Sequence, residues 1–241
     1  MNAHTGIWAL IPAAGAGSRM GTSVPKQYLP LLNETVIAIT IKRVASFPAI
    51  KGVYVGIAPD DSRWTEVEKQ LKGMPTPIET YIGADTRART VLNGLAALSK
   101  KAGKGDWVLV HDAARPCVRH DDISKLLGEV SGTDDGGILA LPVADTVKQT
   151  DSKDRIEKTV CRENLWRALT PQYFPIRDLM DAMTTALEEG AEITDEASAM
   201  EHIGAKPKCI AGHADNIKIT YPADLALAEM YLKKQNKESS S

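Results

Sequence analysis

Two stretches of this chain combine residue types that could bind and transfer phosphate. The first runs Ile11-Pro12-Ala13-Ala14-Gly15-Ala16-Gly17-Ser18-Arg19-Met20-Gly21 and continues to Pro25-Lys26-Gln27. Its small residues leave no side chains between the backbone and an approaching ligand. Glycines at 15, 17 and 21 allow left-handed turns, so consecutive N–H groups can face one concavity and hold an anion. Arg19 and Lys26 add full positive charge to the partial charges of the backbone. A purely structural turn rarely needs three glycines together with Arg and Pro-Lys, so a phosphate site is the better reading. The second stretch is His111-Asp112-Ala113-Ala114-Arg115. Read plainly, Asp112 is a helix cap or a solvated strand end, but the small alanines and Arg115 beside it favour a ligand site. A carboxylate there can hold Mg²⁺ directly or through water, because this hard ion prefers oxygen and usually shares its coordination with substrate phosphates. His111, the other histidines and Cys117, Cys161 and Cys209 read as structural. Arg162 and Lys218, taken alone, read as surface charges.

The glycine pattern separates this loop from two familiar phosphate binders. In Gly15-x-Gly17-x-x-x-Gly21 the third glycine lies one position too late for a dinucleotide fingerprint, and Pro25 and Pro30 prevent the immediate helix which that motif requires. A Walker loop fails as well, since Thr22 follows Gly21. Gly-x-Gly-x-Arg-Met-Gly, a short spacer and Pro-Lys-Gln instead resemble the nucleotidyltransferases. The close spacing of Arg19 to Lys26 is similar to the cytidylyltransferase branch, whereas sugar nucleotide pyrophosphorylases have a longer spacer.

These stretches need elements to position them. Ile7–Ile11 is a continuous apolar run, short enough for a buried strand that delivers the glycine loop. Val36–Phe47 reads as a helix closed by Pro48, Val53–Ala58 as a strand, Glu66–Leu71 as a surface helix and Ile78–Ile82 as a strand. Gly83-Ala84-Asp85-Thr86 leads into a helix carrying Val91, Leu95 and Leu98. Trp107–His111 is another buried strand, followed by a helix near Ile123–Val130 and a strand over Ile138–Val143. Such alternation predicts a three-layer, Rossmann-like α/β fold of nucleotidyltransferase type, with a mostly parallel sheet. It lapses between Thr146 and Tyr173, where Val147–Gln149 and Ile156–Val160 flank a polar turn and predict a protruding β-hairpin arm. Such an arm has little core of its own and is expected to pack against something else, such as a second subunit. Helices return over Ile176–Glu189 and Asp195–Ile203, closed by Gly190 and Gly204. Lys208–Ala211 reads as a strand, Asn216–Thr220 follows it, and a last helix starts near Pro222. Ligands of open α/β sheets bind beyond the carboxyl ends of the strands. That rule gathers the glycine loop, Gly83–Asp85, Asp112–Arg115 and Thr146 along one edge.

The chain as a whole, 241 residues with 43% apolar and 25% charged, fits one globular domain over residues 1–232 with the arm at about 146–173 inserted. The polar tail 233–241 is expected to be disordered. No apolar run reaches transmembrane length and no signal peptide is apparent, so no membrane partner is expected. A net charge of −2 argues against a nucleic-acid binder. Three scattered cysteines suggest neither a disulfide framework nor a zinc site, and point to a reduced, cytoplasmic protein.

With the segments assembled, the resemblance is specific. Beyond the opening loop the chain carries His111-Asp112-Ala113-Ala114-Arg115-Pro116, Pro142-Val143-Ala144-Asp145-Thr146 and Thr159-x-x-Arg162. It continues with Leu165–Gln172, Thr194-Asp195-Glu196-Ala197 and Asp215-Asn216-Ile217-Lys218. From about Ile7 to Leu232 it resembles the 2-C-methyl-D-erythritol 4-phosphate cytidylyltransferases of non-mevalonate isoprenoid biosynthesis. The resemblance implies CMP transfer from CTP to methylerythritol phosphate with Mg²⁺ as cofactor. It implies that Arg19 and Lys26 grip the triphosphate, and that groups at Ala13, Ala14, Ala84, Asp85 and Thr90 read cytosine. Gly15 and Gly17 belong to the nucleotide loop, with Pro12 and Ala113 near the ribose. Asp112, Arg115, Thr146, Arg162, Thr170, Thr194 and Lys218 would surround the acceptor, Arg162 and Lys218 as catalytic cations. In that family the arm reaches a neighbouring subunit, so a homodimer is implied, in which Thr146 and Arg162 serve the partner's site. Ala84 and Thr90 stand where the family has glycine and serine. Cytidylyl transfer to ribitol 5-phosphate, by a closely similar family, and a non-catalytic nucleotide-binding regulator are the alternatives.

Overall fold

In the computed structural model of the chain, residues 6–15, 24–131 and 135–238 are described. The strands are β1 (Ile7–Pro12), β2 (Pro30–Leu31), β3 (Glu34–Thr35), β4 (Ile50–Ile57), β5 (Ile78–Ile82), β6 (Trp107–Val110), β7 (Gly137–Pro142), β8 (Val147–Thr150), β9 (Ile156–Val160), β10 (Trp166–Pro175) and β11 (Lys208–Ala211). The helices are α1 (Val36–Ala45), α2 (Trp64–Leu71), α3 (Arg87–Leu98), α4 (His120–Val130), α5 (Ile176–Glu188), α6 (Glu196–His202) and α7 (Pro222–Glu238). Among the described residues, one 3-10 turn, Lys26–Tyr28, is present.

Seven strands form one sheet in the order β11-β7-β10-β6-β1-β4-β5. All neighbours are parallel except β10, which runs antiparallel to both β6 and β7. Alternating side chains of β1 feed opposite faces: Ala9 and Ile11 join the core beneath α1, α2 and α4, and Leu10 joins the core with α3, α5 and α6. Burial of both faces explains why the central strands read as unbroken apolar runs. The helices α1, α3 and α6 begin with side-chain caps. Thr35 accepts from the Ala38 N–H, Thr86 from the Arg89 N–H, and Asp195 forms a reciprocal capping box with Ser198.

Two expectations are corrected. Residues 233–238 are helical, not disordered, because they extend α7: Gln235 is buried and donates to the Cys117 carbonyl and the Asp215 carboxylate, and Glu238 pairs with Arg119. Trp166–Pro175, placed by sequence inside the lapse in alternation, is a core strand, since Leu169, Tyr173 and Phe174 are buried against β6 and β7. Asn216–Thr220 lies outside the strands and helices, and its buried Asn216 donates to the Thr170 carbonyl on β10. β8 and β9 form the expected hairpin, paired in a two-stranded sheet of their own, with Val147 opposite Val160. Among the described residues no helix is long and apolar enough to cross a membrane.

Candidate active site

The carboxyl end of β1 opens a cleft of about 250 Å³. Gln27, the buried middle residue of the 3-10 turn, donates from Nε2 to the carbonyls of Ala13 (2.7 Å) and Gly15 (2.9 Å), fixing the start of the glycine loop. The Ala13 N–H reaches across to Gly56 on β4 at 2.8 Å. The loop after β5 lies so close that a Cβ on Gly83 would come within 2.5 Å of the Ala14 side chain, so only glycine fits there. Gly15 differs: a Cβ would meet none of the described residues within 4 Å, and its φ is not positive, so the left-handed turn expected at this position is absent. Pro12, Ala13, Ala14, Gly15, Lys26, Ala84, Asp85, Thr90, Asp112, Ala113 and Lys218, all expected in the site, line this cleft. Thr90 is turned to its own loop, since its hydroxyl accepts from the Ala84 N–H at 3.0 Å and donates to the Ala84 carbonyl at 3.3 Å. Gly17, Arg19 and Gly21 lie outside the described residues.

A second cavity of about 270 Å³ adjoins the first and is lined by Arg115, Thr170 and Thr194, again as expected. Arg87, Asp112 and Lys218 line both cavities. Asp112 sits among three cations: Arg87 Nε at 3.2 Å from Oδ1, and Lys218 Nζ at 2.8 Å and Arg115 Nε at 3.4 Å from Oδ2. Burial alone would raise the Asp112 pKa, but Arg87, Lys218 and Arg115 outweigh it and hold the carboxyl far below the usual range. Asp112 is therefore an anion that organises cations.

The backbone beneath it is held by a directed chain. The Asp112 N–H donates to the Thr170 hydroxyl, which contacts His111 Nδ1, and His111 Nε2 meets the Arg115 carbonyl, each at 3.0 Å. A carbonyl only accepts, so Nε2 carries the proton, Nδ1 accepts, and Thr170 donates inward. Complete burial pushes the His111 pKa down to about 4, which keeps the ring neutral. His111 is structural, as its sequence context implied. Thr170 retains one lone pair for the cavity, so it can accept a hydrogen bond from a substrate hydroxyl but cannot donate to a phosphate.

The sequence reading missed several groups. Arg87, at the first position of α3, is bound end-on by Glu196, Nη1 to Oε1 at 2.6 Å and Nη2 to Oε2 at 3.1 Å. Gln172 donates to Asp195 at 2.8 Å and accepts from the Ala197 N–H at 2.9 Å, tying α6 to β10. In sequence the only trace of these pairs was the charged pattern around Thr194-Asp195-Glu196, with nothing to connect it to residue 87. Thr146 and Arg162 are exposed on the arm and line neither cavity, and Arg162 donates to the Ala144 carbonyl at the base of the arm.

This architecture is shared with known proteins. Residues 7–234 match the family model described as IspD: 2-C-methyl-D-erythritol 4-phosphate cytidylyltransferase. A relative of that name from Shewanella halifaxensis (strain HAW-EB4) is 51% identical over 227 residues, covering 94% of this chain and 96% of the relative. One from Escherichia coli (strain K12 / DH10B) is 48% identical, covering 95% and 94%. Among solved structures, the Francisella tularensis 2-C-methyl-D-erythritol 4-phosphate cytidylyltransferase superposes with a TM-score of 0.80 at 34% identity, over 94% of this chain and 100% of that one. The Thermus thermophilus enzyme gives 0.75 at 28% identity, over 93% and 98%. The chain belongs to the IspD family of 2-C-methyl-D-erythritol 4-phosphate cytidylyltransferases.

Proposed function

We propose that this protein transfers CMP from CTP to 2-C-methyl-D-erythritol 4-phosphate, giving 4-diphosphocytidyl-2-C-methyl-D-erythritol and pyrophosphate. The observation that carries this reading is the meeting of two cavities at Asp112, Arg87 and Lys218, one opening on the glycine loop and the other on Thr170 and Thr194. CTP occupies the first, and the acceptor occupies the second. A phosphate oxygen of the acceptor attacks the α-phosphorus in line, the bond from that phosphorus to the bridging oxygen of pyrophosphate breaks, and pyrophosphate leaves with the electron pair. A phosphate monoester has its second pKa near ~6, so the nucleophile is already a dianion at neutral pH and no general base is needed. This agrees with His111, whose two ring nitrogens are both committed inside the protein.

The barrier is the approach of two polyanions, and cations supply the stabilisation. Lys26, half-buried at the mouth of the donor cleft, and Arg19 take the triphosphate side. Lys218 has one N–H on Asp112 and further donors for the reacting phosphates. Among the described residues no three His, Cys, Asp or Glu side chains are grouped closely enough to hold a metal ion. Mg²⁺ in nucleotide sites needs only one or two carboxylates plus phosphate oxygens and water, so this donor set suits it. When bound, the ion neutralises triphosphate charge. Asp112, with both oxygens already on cations, would reach it through water.

The protein works as a homodimer in the cytoplasm, without a nucleic-acid or membrane partner. In support, β8 and β9 pair with each other alone among the described residues, and Thr146 and Arg162 line neither cavity. Cys117, Cys161 and Cys209 are free thiols, as in a reducing compartment. Pyrophosphate release with CTP, ATP, GTP or UTP, with and without methylerythritol phosphate, tests the assignment. Release should need CTP and the acceptor together. Equal turnover with ribitol 5-phosphate would reassign the acceptor, and CTP binding without release on any polyol phosphate would make the protein a nucleotide-binding regulator.

A further inference from the structure

We infer that Glu196, which lines neither cavity, is the positioning residue that holds Arg87 across the boundary between them, where Arg87 binds the reacting phosphates. The inference rests on the CMP-transfer reading above. Glu196 is fully buried, and both of its oxygens are committed to the terminal nitrogens of Arg87 at 2.6 and 3.1 Å. Its own place is fixed: it is the first residue of α6, whose start is capped by Asp195 and fastened to β10 through Gln172. A carboxylate sealed in the interior is costly, and an apolar pair of similar volume generally serves a core at least as well. Its partner, moreover, is not sealed. The Arg87 side chain is 29% exposed and opens on both cavities.

The geometry also limits what Arg87 can do. Its Nε–H is on Asp112 and one N–H of each terminal nitrogen is on Glu196, so three of the five donors are committed. The two that remain belong to a plane that Glu196 and Asp112 fix from different sides. Of the three residues lining both cavities, Arg87 and Lys218 are the cations, and the α-phosphorus must lie where the two substrates meet. Arg87 is thus a second fixed cation at the reacting centre, and its planar fork cannot be replaced by the single ammonium of lysine.

The test is a kinetic cycle on the full-length protein with CTP, Mg²⁺ and methylerythritol phosphate. Glu196→Gln keeps the side-chain shape and removes the charge, so kcat should fall by ~10²-fold while KM for CTP moves less than ~3-fold, the pattern of a lost transition-state contact. Arg87→Lys should lose at least as much. The double variant should lose no more than Arg87→Lys alone, because Glu196 acts through Arg87. Losses that multiply in the double variant, or wild-type kcat per folded molecule in Glu196→Gln with only a lower Tm, would overturn the inference. If Glu196→Gln does not fold, Glu196→Asp, which keeps the charge and withdraws it by one methylene, enters the same cycle with the same expected outcomes. A wild-type protein that releases no pyrophosphate would count against the CMP-transfer reading as well, whereas an active wild type with an unaffected variant sinks this inference alone.

Discussion

The two regions that hold this protein's cations are built on opposite plans. At the sheet edge, Asp112, Arg87, Arg115 and Lys218 are locked together within the chain, Arg87 at the start of α3 and the others on segments bonded to β10 and to each other. On the β8–β9 arm, Thr146 and Arg162 are exposed on a hairpin that has no core of its own. Fixed dipoles and charges cost no reorganisation when charge develops on a substrate, so the first plan suits the chemical step. The second suits a group that must complete a site only once another chain is present. A two-stranded ribbon is marginal alone, and it gains order when it packs on a partner.

That contrast makes unequal predictions. Lys26→Ala, at the sheet edge, should lower kcat by at least ~10²-fold, the scale of one lost transition-state charge contact, with the Tm nearly unchanged. Steady-state rates beside a thermal melt check this, and unchanged turnover with a lowered Tm would make Lys26 structural. The buried chain beneath Asp112 should appear in the pH dependence of stability. His111 has its pKa depressed to about 4 by burial, from 6.5, so the unfolded chain takes up a proton first as pH falls. Stability is then full above the ordinary histidine pKa and declines toward pH 4, by up to about 3 kcal/mol. Urea unfolding from about pH 7 to about pH 4.5 measures that slope, which His111→Asn should flatten.

On the arm, the expected effects are smaller and of another kind. Arg162→Ala should raise KM for the acceptor by roughly 10-fold with little change in KM for CTP, as for a lost charge-assisted contact, and leave the Tm in place. Equal effects on both substrates would remove it from the acceptor site. Mixing the Lys26→Ala and Arg162→Ala proteins should form hybrid dimers with one intact site, restoring up to about a quarter of the wild-type sites. No regain on mixing would mean that the arm does not serve a second copy.

What the sequence made legible follows the same division. The apolar runs of β1, β4 and β6 announce buried parallel strands, and small residues beside charged ones announce a phosphate site at their ends. β10 was hidden because its first residues, Trp166-Arg167-Ala168, are exposed and only its later half is core. The helical continuation through Lys233–Glu238 was hidden by polarity, as its support comes from Gln235 reaching the distant Cys117 carbonyl. The Arg87–Glu196 pair was missed because the chain separates its members by 109 positions and Arg87 lies in no patterned motif. Long-range pairs of this kind leave no periodicity to read. For the same reason, Gln27 was seen as part of a motif, while its role as the clamp on the Ala13 and Gly15 carbonyls needed the fold.

In the proposed reaction, phosphorus reacts where the two cavities share Arg87, Asp112 and Lys218. A crystal structure of the protein with CTP and Mg²⁺ tests it most directly. The base is expected between the β1 and β5 loops, the triphosphate along Gly15 and Lys26, and the α-phosphate at the shared boundary. A triphosphate bound away from the end of β1, or an α-phosphate out of reach of that boundary, would contradict it.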